Sequence, residues 1–184
     1  MKPTAELSHE HQDILKMIRI LGKIAERPDA GGAVPPDDPA MCVEFLRDFA
    51  DRCHHAKEED YLFPEMEKIG VAREGGPIGV MLAEHVEGRK HVAAMAGTLA
   101  GLRSGERSAA RAFIEAARRY NALLTQHIMK EDRVLYPMAD ARFSAEQQRE
   151  LEARFAEVEK SIVGEGRHEE FRRLLERFEK AYLV

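Results

Sequence analysis

No apolar run in the 184 residues approaches the ~18 needed to cross a bilayer, and the N-terminal stretch MKPTAELSHEHQ lacks the apolar core of a secretory signal. A membrane span is therefore not expected, and the cytoplasm is the expected compartment. Cysteine is scarce. Cys42 and Cys53 stand eleven residues apart on one helical pattern, so about 16 Å of helical rise separates them and they cannot pair with each other. Reduced core thiols are the expectation. A basic stripe is missing too, since the 28 Lys and Arg residues are scattered among 33 Asp and Glu for a net charge of −5. Affinity for nucleic acid comes from phosphate neutralisation, so nucleic acid is excluded as a partner. Strand-like alternation is absent as well, which leaves an all-α chain.

Glycine and proline divide that chain into helices. Segments of helical periodicity run from about Thr4 to Glu26, Pro39 to Ile69, Pro77 to Leu102 and Ser108 to Ala139, with the turn-rich DAGGAVPPDDP between the first two. Pro64 is expected to loosen the end of the second segment. Ser144 and Gln147 form a capping box for a fifth helix that stops at Gly164–Gly166, and a sixth covers about His168 to Leu183. The four long segments carry apolar stripes at steps of three and four. The stripes read Leu7, His11, Ile14, Ile18; Leu46, Ala50, His54, Glu58, Leu62; Met81, His85, Gly88, Val92; and Leu124, His127, Glu131, Val134, Met138. Short connections favour antiparallel neighbours, so the expected architecture is an up-down-up-down four-helix bundle over residues 1–141. The extension 142–184 adds two C-terminal helices that pack on the bundle or on a homodimer partner.

Eight histidines are the unusual feature of this composition. The stretch HHAKEEDYLFP from His54 to Pro64 matches HIMKEDRVLYP from His127 to Pro137 at five of eleven positions. Glu10-His11 recurs as Glu84-His85 at nearly the same offset. The chain therefore looks like two copies of one helical hairpin, each supplying a His from its first helix and HxxxE from its second. His11 lies 15 residues before Glu26 and His54 lies 15 after Pro39, so at ~1.5 Å per residue the ligand types converge on one layer.

A lone His on an apolar stripe is usually a satisfied core residue. Here Glu58 and Glu131 point inward one turn after an inward His, and a buried carboxylate without a partner costs several kcal/mol. No Lys or Arg lies on the core stripes to neutralise them, whereas a shared cation would. The expected metal ligands are His11, His54, Glu58, His85, His127 and Glu131. Six donors exceed a tetrahedral site, so two ions fit better than one, and imidazole with carboxylate suits iron, manganese or zinc. The alternative phase, His55 with Glu59, would turn Ala50 and Leu62 away from the core and is disfavoured. Tyr120 is expected to pack in the core, with a role beside the ligands as the alternative. Glu10 and Glu84 either face water or orient a neighbouring ring. His9, His91 and His168 are expected at the surface.

These residues resemble the hemerythrin-like HHE cation-binding domains, whose signature is His, HxxxE, His, HxxxE on four helices. The resemblance spans about Glu6 to Ala139. It implies an antiparallel bundle around a non-haem di-iron centre that binds O2 or a similar small oxidant or gas, with both glutamates bridging. Oxygen carriers of this family repeat the third-helix His after four residues, where this chain has Arg89, with Gly88 in the neighbouring inward slot. They also place the fourth-helix carboxylate at the position of Asp132, although the internal repeat selects Glu131. One imidazole fewer opens positions to water or substrate, which favours reactive chemistry over simple oxygen storage.

The leading expectation is a cytoplasmic di-iron protein that binds or senses O2, peroxide or nitric oxide. A di-iron enzyme that decomposes peroxide or repairs iron centres is the second. A metal-stapled interaction module, with zinc in place of iron, is the third.

Overall fold

The computed structural model describes residues 1–27, 35, 37–160 and 166–184, so most of the turn-rich segment 29–39, together with Ile162 and the expected stop at Gly164, lies outside the described residues. Every described element is helical. Helix α1 (Pro3–Glu26) opens on a proline, whose fixed φ and missing N–H suit a first helical turn. Helix α2 (38–68) opens on Asp38-Pro39 in the same way. It ends at Gly70, whose φ of 86° lets Val71 N–H reach the Met66 carbonyl at 3.0 Å. Helix α3 (Pro77–Arg103) and helix α4 (107–142) follow, then α5 (Ala145–Val158) and α6 (Arg167–Tyr182). The Ser144–Gln147 capping box of α5 forms as expected.

Helices α2 and α4 are not regular throughout. Wide turns with hydrogen bonds five residues apart occupy Leu46–His55 and Glu58–Leu62 in α2, and Glu131–Leu135 in α4. Proline explains the latter two. Pro64 and Pro137 have no N–H for the carbonyl four residues back, and their rings would strike it. The preceding residue reaches further instead, with Phe63 N–H on the Glu58 carbonyl and Tyr136 N–H on that of Glu131. Each wide turn advances the buried face by one residue. The expected stripe of α4 is corrected accordingly: Val134 is 52% exposed and Met138 is half-buried, while Leu135, Tyr136 and Ala139 take the core positions.

Two apolar clusters flank a polar layer. One gathers Ile14 to Ala25 of α1, Cys42 to Ala50 of α2, Val92 and Met95 of α3, and Phe113 to Leu124 of α4. The other gathers Leu7, Leu62, Phe63, Met66, Ile78, Met81, Leu135 and Tyr136. The first cluster follows the ligand-type His in α1 and α3 but precedes it in α2 and α4, so all four sit at one level between the clusters. The C-terminal helices close both flanks, with Leu151 and Phe155 joining the second cluster and Phe171, Leu175 and Phe178 the first. Both cysteines are buried and free.

Candidate metal centre

Two groups of buried donors meet in the polar layer and share Glu58: His11, His54, Glu58 and Glu131 on one side, and His55, Glu58, His85 and His127 on the other. Within each group one donor atom per residue lies within 4.8 Å of the others. Glu131 also touches both sides, its oxygens standing 3.3 Å from His11 Nε2 and 3.2 Å from His127 Nε2. All six side chains expected from the sequence are therefore brought together. His55, disfavoured by its phase, joins them. The wide turn over Leu46–His55 is the physical reason, since it keeps His55 buried without turning Ala50 or Leu62 outward.

A carboxylate backs every ring. His54 Nδ1–H donates to Glu10 at 2.8 Å and His127 Nδ1–H to Glu84 at 2.9 Å, each within one hairpin. His85 Nδ1–H donates to Glu59 at 2.7 Å and His11 Nδ1–H to Asp132 at 2.9 Å, each between hairpins. His55 Nδ1–H donates to Asp51 at 3.2 Å. These bonds fix the tautomer and leave Nε2 as the atom with the free lone pair. The acids of the doublets Glu10-His11 and Glu84-His85, and the acid after each HxxxE, thus share a role, each orienting the ring of a neighbouring helix. Asp132 belongs to this outer set, while fully buried Glu131 lies among the donors.

The lysines of the repeat complete the pattern. Lys130 pairs with Glu84, and Lys57 with Glu6, Glu10 and Glu159 at 2.6, 2.6 and 2.8 Å. Lys57 is wholly buried, so a core cation exists that the apolar stripes did not reveal. It faces the outer carboxylates and leaves the inner ones alone. The sequence signal for it was the shared Lys of the two HxxKE copies.

Neither inner carboxylate is satisfied. Glu58 Oε2 and both oxygens of Glu131 are buried without a hydrogen-bond partner, which is rare for a charged group and costly unless a cation is supplied. Neutral rings would bring His85 Nε2 against His127 Nε2 at 3.0 Å, lone pair to lone pair. Positive charge must enter this layer, either as protons or as metal ions. Burial and then the charge of Glu131 push the Glu58 carboxyl well above its ordinary range. Burial also opposes ionisation of Glu131, but the facing His127 and His11 rings hold it well below that range. Burial disfavours a charged His127, yet Glu131 and Glu84 raise it to about 9. Protons in the ion-free protein therefore occupy the place a cation would take. Imidazole with carboxylate, and no thiolate, suits iron, manganese or zinc.

Tyr136 is the tyrosine at this centre. Its hydroxyl donates to Glu58 Oε1 at 2.7 Å and stands 3.3 Å from His11 Nε2. The replacement of Phe63 by Tyr136 between the two copies was its only trace in the sequence. Tyr120 stays outside the donor groups and lines a cavity of about 400 Å³ beside His55, Gly88 and Arg89. His9 is exposed, His91 and His168 are half-buried, and none of the three belongs to a donor group.

This arrangement defines a helical protein with a buried imidazole–carboxylate cation site. Residues 2–139 match the hemerythrin HHE cation-binding domain, and the chain belongs to that family. No curated protein and no solved structure matches it. Among the described residues, no helix is long and apolar enough to cross a membrane.

Proposed function

We propose that the chain is an antiparallel up-down-up-down four-helix bundle of hemerythrin type whose layer holds two ions, iron foremost, and that it binds or senses O2, peroxide or nitric oxide in the cytoplasm. His11, His54, Glu58, His85, His127 and Glu131 are the proposed ligands. The observation that carries this is the set of three orphaned carboxylate oxygens on Glu58 and Glu131 between converging ring nitrogens. Iron, when bound, would supply reversible one-electron chemistry toward a small oxidant or gas.

The chain's own groups prepare that chemistry. Glu58 belongs to both donor groups and Glu131 reaches a ring of each, so these two carboxylates would serve both ions. The five carboxylates behind the rings raise ring basicity and restrict ring rotation. Tyr136 holds Glu58 Oε1 with its hydroxyl, which leaves Oε2 free to face a cation. Apolar clusters lie on both sides of the layer and shield it from water.

Protein purified from iron-replete cells should carry two metal ions per chain, and its visible absorption should change when the reduced protein meets O2, peroxide or nitric oxide. Much less than two ions, with a featureless visible spectrum under all three, would refute the proposal.

A further inference from the structure

We infer that His55 is a fifth imidazole ligand, to the ion on the His85–His127 side, and that Arg89 is the residue that positions it through Asp51. This rests on the two-ion reading above.

Placement is the first observation. His55 is buried, and one of its ring nitrogens lies within 4.8 Å of donor atoms on Glu58, His85 and His127. Its ring stacks on that of His85 with centroids 3.8 Å apart and planes within 16°. The ring of His55 is thus held face to face with the ring of a proposed ligand. An ion lies in the plane of each ring that binds it, so the two rings must tilt apart from this stack to share one.

Orientation is the second observation. Four rings in this layer have Nδ1 bonded to a carboxylate and Nε2 directed at the centre, and His55 repeats the first half of that pattern through Asp51. Asp51 is itself fixed. Arg89 Nε donates to Asp51 at 2.7 Å, and the other arm of the same guanidinium donates to Glu59 at 2.6 Å. Glu59 is the carboxylate that receives His85. One planar fork thus ties the two acids behind the two stacked rings, which is the geometry a guanidinium provides and an ammonium does not. The side chain that fills the third-helix slot in place of an imidazole therefore holds an imidazole of α2.

The other copy of the repeat supplies the contrast. Ile128 stands where His55 does and packs in the apolar core, so only one side of the layer gains an extra ring. With His55 counted, the ion beside His85 has three imidazoles and the ion beside His11 has two. The imidazole missing from the third helix then no longer opens the centre on the His85 side.

Zinc tests this directly, because it is diamagnetic and accepts the same donors. The full chain, labelled with ¹⁵N in histidine and stripped of metal, is titrated with zinc while the assigned ring-nitrogen resonances are followed by NMR. Five of the eight rings should move to metal-bound positions, His55 among them and in step with His85 and His127. A His55 resonance that stays put overturns the proposal. Folded His55→Gln should hold one ion as tightly as the unaltered chain and the other at least tenfold more weakly; two zinc ions of unchanged affinity overturn it as well. If His55→Gln does not fold, the ring count in the unaltered chain decides alone. Arg89→Ala should weaken one ion by about 10–100-fold yet still give five metal-bound rings at saturating zinc. Fewer than two zinc ions in the unaltered chain refutes the two-ion reading instead. Even then, His55 moving together with His85 supports the assignment, and His55 standing still overturns it.

Discussion

Lys57 and Lys130 occupy the same place in the two copies of the repeat, but burial should make their removal unequal. Lys57 has a fully buried side chain and three carboxylate partners, two of which, Glu6 and Glu159, are 30% and 41% exposed. The third, Glu10, is 7% exposed and also receives His54. In Lys57→Met the two outer acids recover water, whereas Glu10 is left charged, buried and paired only with a ring. Breaking a buried pair in this way costs roughly 3–5 kcal/mol. For a chain of this size that corresponds to a melting temperature lower by roughly 6–20 °C. Lys130 is 36% exposed and pairs with one acid that is 21% exposed, so Lys130→Met should cost no more than about 1 kcal/mol and move the melt by no more than about 4 °C. The difference traces to α5, which lays Phe155, and Glu159 just past its end, over Lys57. The assay is calorimetric melting of the two variants, metal-stripped and metal-loaded, at pH 7. Equal losses in the two variants, or a Lys57→Met melt indistinguishable from that of the unaltered chain, would refute the claim that Lys57 is the internal counterion of this outer shell.

Glu10→Gln and Glu84→Gln keep the shape of the acids behind His54 and His127 but remove their charge, so each should weaken metal binding by about 10–100-fold without displacing a ligand, as read by competition with a chromophoric chelator. Tyr136→Phe removes the hydroxyl that satisfies Glu58 Oε1; the ion-free protein should lose roughly 1–3 kcal/mol and the metal-loaded protein less, and equal losses in the two states would count against a cation beside Glu58. The thiols give a test against pH. Burial pushes Cys53 up to about 12 and Cys42 higher still, from an ordinary value of 9.0. A group whose folded pKa is raised stabilises the fold fully below its unfolded pKa and loses that contribution above it. Stability should therefore fall above pH 9 by about 1.4 kcal/mol per thiol for each further pH unit, up to the folded pKa. Urea unfolding of a Cys42→Ala/Cys53→Ala chain should lack that part of the slope.

How far the sequence exposed this site depended on helical period. Where the helices keep 3.6 residues per turn, in α1, α3 and the first part of α4, the stripes named the buried residues, including His11, His85 and His127. The internal repeat then added information that period could not. It singled out Glu131 over Asp132, and it aligned Leu62 with Leu135, which is buried where the stripe had put Val134. The losses fall at the wide turns. A turn closed five residues apart rotates the next residues away from where a regular helix would put them, so His55 was assigned to the wrong face and Val134 to the core. Lys57 was missed for a different reason. Its burial depends on α5, a helix some hundred residues away, and no local pattern reports the cover that a distant segment supplies.

The repeat also gives the two proposed ion positions unlike surroundings. Most of the motif is duplicated with its role: the His, the Lys, the inner Glu, the outer acid and the proline that opens the wide turn all recur. Two differences fall where they matter. His55 in the first copy is Ile128 in the second, and Phe63 in the first is Tyr136 in the second. Phe63 lies 6.0 Å from the ring of His85, and Tyr136 lies 5.4 Å from that of His11. The His85 side therefore receives an additional imidazole and an apolar ring, while the His11 side receives a hydroxyl and no further imidazole. Donor number sets how many positions remain for an external molecule, and the Tyr136 hydroxyl, by holding Glu58 Oε1, keeps that oxygen from filling such a position itself. Both differences point the same way, so an external ligand should bind on the His11 side. Tyr136→Phe should then weaken binding of azide to the iron-loaded protein, followed by visible absorption, while Phe63→Leu should leave it unchanged. The reverse result would place the open position beside His85 and would contradict the division of ligands argued for His55.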